Sequence, residues 1–111
     1  MKKFEKAVLG VWHITGMEAW DADYFDMEVK AHITIREDLT GEFQFGLVQG
    51  DIDARVSMAG DLARVEFSWS GFDEHDPMSG RGWFDVAGVH AEGRIFIHLG
   101  EELGFTLERA G

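Results

Sequence analysis

The chain has no cysteine, a single proline, only ten basic residues against 21 acidic ones, and no apolar run long enough to cross a membrane. Without cysteine there is no disulfide, no thiolate nucleophile and no Cys-ligated zinc or iron–sulfur centre, which suits a reducing compartment. The shortage of Lys and Arg leaves a net charge of -11. That charge repels polyphosphate and anionic membranes, so neither nucleic acid nor a membrane is expected as a partner. Met1-Lys2-Lys3 resembles the start of a signal peptide, but Glu5 and Lys6 follow, and Gly10 breaks the apolar stretch from Ala7 to Trp12. Neither a leader nor a transmembrane helix is therefore expected, and the expected location is cytoplasmic. Also missing is any apolar stripe of period 3.6 over ten or more residues, which leaves room only for a short helix, best placed between Met17 and Tyr24.

What is present is a length of 111 residues, enough for one domain spanning 1–111, with 45% hydrophobic residues, 14 glycines, nine Phe, four Trp and one Tyr. From Phe25 to Arg36 apolar and polar residues alternate, predicting a half-buried strand. Asp38-Leu39-Thr40-Gly41 supplies a turn, and Phe43, Phe45 and Leu47 resume the alternation. The apolar parity changes at Gly50-Asp51, which predicts a turn before Ile52, Ala54, Val56 and Met58. Ala63, Val65, Phe67 and Trp69 follow beyond Gly60-Asp61, and Gly71 to Gly80 reads as the longest loop. Three more strands are expected over Arg81–Ala87, Glu92–Leu99 and Leu103–Arg109, and an opening one from Val8 to Thr15. Eight short strands joined by hairpins predict an all-β fold, a small antiparallel up-and-down β-barrel, since closure removes both exposed sheet edges.

Gly10-Val11-Trp12 forms a G-x-W triplet in the opening strand, and Arg109 shares the inward parity of Phe105 and Leu107 in the last. This arrangement resembles the lipocalin, avidin (streptavidin-like) and fatty-acid-binding-protein group of barrels. The resemblance implies a first-strand Trp12 packed beneath a last-strand Arg109, so that these residues together with Gly10 close one barrel end; the plainer reading has Gly10 relieving a bend and Trp12 serving only as core. A guanidinium over an indole face is attractive, most of all when partly desolvated. The Thr-Asp-Tyr motif of lipocalins is absent, so the resemblance implies a cup-like interior and no particular ligand.

Four features could carry chemistry. Asp73-Glu74-His75-Asp76 places carboxylates beside an imidazole, a combination suited to a hard cation or to acid–base work, although its spacing matches no EF-hand. A solvated acidic loop is the plainer reading. The five histidines His13, His32, His75, His90 and His98 contain no His-x-His pair or His-Glu-x-x-His, so a metal site would need neighbouring strands to bring two together. Trp20 and Tyr24, with Trp69 and Trp83 flanking the acidic run, are the candidate ligand-binding aromatics at a barrel mouth. The alternative for Trp20 is that, together with Phe25, it plugs the barrel end. Apolar side chains on both faces at Leu9/Val11, Trp83/Phe84 and Ile95/Phe96/Ile97 predict an outward patch that a homodimer or other homo-oligomer would bury.

No serine sits in a G-x-S-x-G motif, and no cofactor is expected. The leading expectation is non-catalytic binding of a small apolar or aromatic ligand at the barrel mouth. The alternatives are a structural or interaction module with a filled barrel and, less favoured, a metal- or acid–base-dependent enzyme built on residues 73–76. An eight-stranded barrel is just wide enough to be filled by side chains or to hold one small ligand, so the interior volume separates the first two.

Overall fold

Period-two alternation sorts each strand into an apolar and a polar face, and the sheet closes on itself to bury the apolar one. A computed structural model describes residues 2–110 of the chain. Its strands are β1 (Gly10–Met17), β2 (His32–Ile35), β3 (Thr40–Phe45), β4 (Val48–Ala59), β5 (Leu62–Asp73), β6 (Asp76–Ala87), β7 (His90–Ile97) and β8 (Glu102–Arg109). They form a closed antiparallel barrel in sequence order, β8 returning to β1 with Arg109 opposite Trp12. Among the described residues two four-residue helices complete the fold, α1 (Lys3–Lys6) and α2 (Ala22–Phe25), the latter overlapping the Met17–Tyr24 connection where a short helix was expected and taking in Phe25, which was expected to open a strand. No helix among the described residues is long and apolar enough to cross a membrane.

The interior is solid. Trp12, Phe45, Phe84, Ile35, Leu107 and Val65 are almost wholly inaccessible, and no polar or charged residue is buried among the described residues. Aromatic rings crowd this interior, the Phe84 ring centre lying 6.2 Å from that of Trp12, 6.3 Å from that of Phe67 and 6.4 Å from that of Phe105. The cup-like interior implied by the resemblance is therefore occupied by side chains.

Three local expectations are corrected. The strand predicted over 25–36 is cut to His32–Ile35. The Asp26 carboxylate accepts the Ala31 N–H at 2.8 Å, which diverts the backbone into turns, and Met27 is left 51% exposed. The turn expected at Gly50-Asp51 lies instead at Gly46-Leu47, and β4 runs unbroken with Gly50 as an inward position lacking a side chain. The loop predicted from Gly71 to Gly80 is a hairpin: β5 and β6 stay paired out to Asp73 opposite Asp76, leaving a two-residue turn at Glu74-His75. Three other two-residue hairpins begin their turns with Gly46, Gly60 and Gly88 at φ +56°, +63° and +67°, and Glu74 holds the same place at φ +55°.

Candidate functional site

The two barrel ends differ in how they are finished. At one end the N-terminal segment crosses the opening, turning at Gly10 with φ +104°. Val8 is fully buried there, and its carbonyl accepts the Trp12 indole N–H at 3.0 Å. The Arg109 guanidinium lies 4.3 Å from the Trp12 ring and donates to the Leu9 carbonyl at 2.7 Å and to the Ala7 carbonyl. Every polar atom that Trp12 brings inside is thus satisfied. The β2–β3 turn at this end is held by the Asp38 carboxylate, which accepts from the Thr40 hydroxyl at 2.6 Å and the Thr40 N–H at 3.0 Å. The hydroxyl bond holds the Asp38 carboxyl below its ordinary value.

At the other end the β1–β2 connection forms a partial cover. The Trp20 ring packs at a tilt 5.1 Å from Tyr24 and 5.7 Å from Phe45, and Phe25 is 3% exposed. Gly46 admits the Tyr24 ring, because a Cβ there would lie 2.4 Å from it. The aromatic series continues inward through Phe43, stacked 5.7 Å from Phe45 and edge-on 5.0 Å from Trp69. The cover stops short of the β4–β7 side. There, Phe43, Gly50, Gly71, Met78 and Ile97 floor an open groove of about 1170 Å³, rimmed by polar side chains including Gln44, Gln49, Ser70 and His98. Its lining includes the carboxylates Glu42 and Asp51 and neither Lys nor Arg.

Trp69 adjoins this groove from within the barrel. It is 4% exposed, and its Nε1 is the one buried side-chain nitrogen or oxygen among the described residues with no hydrogen-bond partner. The indole fits over positions that lack side chains: a Cβ on Gly50 would come within 2.9 Å of its six-membered ring, and one on Gly80 within 3.0 Å of Nε1. An unpaired buried donor costs on the order of 1–3 kcal/mol.

The four expected ligand-binding aromatics do not share one site. Trp20 and Tyr24 belong to the cover, Trp69 adjoins the groove, and Trp83 lies on the outer wall. The parity of β6 decides the last of these, since Gly82 and Phe84 face inward and Trp83 faces out. There Arg64 lies 4.4 Å over the Trp83 ring while its guanidinium holds the Asp85 carboxylate at 2.6 and 2.8 Å.

Asp73, Glu74, His75 and Asp76 occupy the hairpin tip rather than a loop, and no group of three His, Asp or Glu among the described residues could hold a metal. The register does align His90, Glu108, His13 and His32 in one transverse row on β7, β8, β1 and β2, again without a set of three that could hold a metal. No family model matches the chain, and no curated protein or solved structure matches it either.

The residues missed at the sequence level are Gly50, Gly71 and Gly80. Their signal was available, because each falls at an inward position in register with an apolar neighbour. A glycine at such a position marks close approach by another group. Hydropathy counting passes over it because glycine has no side chain to count.

Proposed function

We propose that this protein is a non-catalytic binding module that takes a small, largely apolar or aromatic ligand in the groove at the partly covered end of its barrel. The observation that carries this reading is the groove floor, where the inward-facing Gly71, Met78 and Ile97 are only half-buried beside the buried Phe43 and Gly50. An apolar floor with a polar rim is the usual chemistry of a small-molecule site. The lack of buried polar or charged residues among the described residues supports binding over acid–base chemistry, which relies on desolvated titratable groups. The filled barrel centre favours, as the second reading, an interaction module whose surface carries the function.

Titration with naphthalene, followed by backbone amide shifts, separates the two. Saturable shifts confined to Gly50, Gly71, Met78 and Ile97, and abolished by Met78→Lys, are the expected result. Scattered, non-saturating shifts would reject the groove in favour of the interaction module.

A further inference from the structure

We infer that the barrel pairs with a second copy of itself through an open edge of β4 at Val56–Met58, the two strands running antiparallel about a two-fold axis at Ser57. The edge exists because β4 outruns β3. Their ladder starts at Thr40 opposite Asp53, and one further bond runs from the Ala54 N–H to the Leu39 carbonyl. From there β4 continues to Ala59 paired with β5 alone. Since the Ala54 N–H faces the β3 side, alternation turns the N–H and C=O groups of Val56 and Met58 to that same, open side. Among the described residues, nothing outside the β4–β5 ladder hydrogen-bonds to the backbone of either one. Helix α1 reaches β4 with Phe4 packed onto the core and gives the strand no backbone bond, and Met58 is left 49% exposed.

The other overhang is finished differently. β6 outruns β7 over Asp76–Ser79. There the Ser79 carbonyl accepts the His98 N–H, and the next position on that side is Pro77, the only proline of the chain, which has no N–H to offer. Asp73, Glu74 and Asp76 crowd the adjoining tip. Proline and charge are the usual means of keeping an edge from pairing. Between Ala54 and Ala59, β4 has neither proline nor acid. Its one charge, Arg55, turns back onto Asp53 at 2.7 Å and the Ala54 carbonyl at 2.9 Å.

A second copy fits this edge because the edge is complementary to itself. Antiparallel pairing about Ser57 sets Val56 opposite Met58 of the second copy and Met58 opposite its Val56, which forms four backbone hydrogen bonds and brings apolar side chains together on one face. On the outer face Ser57 meets Ser57 and Arg55 meets Ala59, so no like charges are opposed. The hairpin from Asp53 to Arg64 holds two acids, Asp53 and Asp61, and two bases, Arg55 and Arg64. Repulsion between copies of a chain with net charge -11 is thus weakest here. The contact lies away from the groove and is small, which makes the pair a transient one.

Introduced cysteines trap such a pair, and the chain has none of its own. Ser57 is exposed, and residues directly opposite in a non-hydrogen-bonded pair have Cα atoms about 4.5 Å apart, within the span of a disulfide. In a glutathione redox buffer Ser57→Cys is expected to form a disulfide-linked dimer of twice the 12.5 kDa chain. Arg55→Cys and Ala59→Cys should each stay monomeric alone and cross-link when mixed. Concentrating the unaltered chain should shift the Val56 and Met58 amide resonances. Met58→Pro, which removes an N–H that no group within the chain uses, should abolish those shifts.

A Ser57→Cys that stays monomeric, or equal cross-linking of all three single variants, would overturn the inference. Concentration-dependent shifts confined to another face of the barrel would do the same. The cysteine comparison decides the matter even if Met58→Pro does not fold.

Discussion

Trp12 and Trp69 are buried to nearly the same extent, at 0% and 4% exposure, yet they are treated in opposite ways. Trp12 is enclosed by groups that answer each of its features: a carbonyl for the N–H and a guanidinium for the π face. Trp69 has an aromatic edge and two positions without side chains, and its N–H has no partner. The first end is optimised for closure. The second leaves an unpaired donor in the core beneath a partly covered mouth, the kind of local inconsistency that functional sites preserve.

The largest expected effect on stability comes from the closed end. Trp12→Phe keeps an aromatic ring but leaves the Val8 carbonyl unpaired and weakens the contact with Arg109. It should destabilise by about 2–3 kcal/mol, lowering the melting temperature by on the order of 10 °C. Thermal unfolding by circular dichroism checks this, and a shift of only a degree or two would mean that the Trp12 pairing is not what holds the end shut.

A smaller change of opposite sign is expected at the hairpin tip. Glu74→Gly places a residue free of Cβ strain at φ +55° and removes one of several crowded carboxylates, so stability should rise by about 1 kcal/mol. Urea unfolding would show a higher midpoint at unchanged slope. A fall would imply that the Glu74 side chain makes a compensating contribution.

The smallest effect tests the comparison itself. Trp69→Phe deletes an unpaired donor along with part of a ring, two changes that offset each other, so stability should move by less than about 1 kcal/mol. If chemical denaturation gives Trp69→Phe the same loss as Trp12→Phe, the two tryptophans are equivalent structural residues and the contrast between the ends fails.

Much of the barrel was legible before folding. The parity of Ala63, Val65, Phe67 and Trp69, and of Phe105, Leu107 and Arg109, reads directly onto the inner wall, and the Trp12–Arg109 contact is present. Alternation misled where a local hydrogen bond outweighed it, as at Asp26–Ala31, and where glycine concealed an inward position, as at Gly50, Gly71 and Gly80. The candidate site suffered most from the second error. Reading Gly71 to Gly80 as a loop joined Trp69, the acidic run and Trp83 into one mouth, whereas the paired hairpin sends Trp83 to the outer wall and the acids to the hairpin tip.

Strand number, the buried face of most strands, the acidic surface and the exclusion of thiol chemistry were determined by the sequence alone, because each depends on residue type and on a period of two along the chain. Which tryptophan is satisfied, where the groove opens and which carboxylates meet an arginine were decided only by the tertiary structure. Those properties depend on the pairing register across strands and on the space left between side chains, both of which exist only once the barrel has closed.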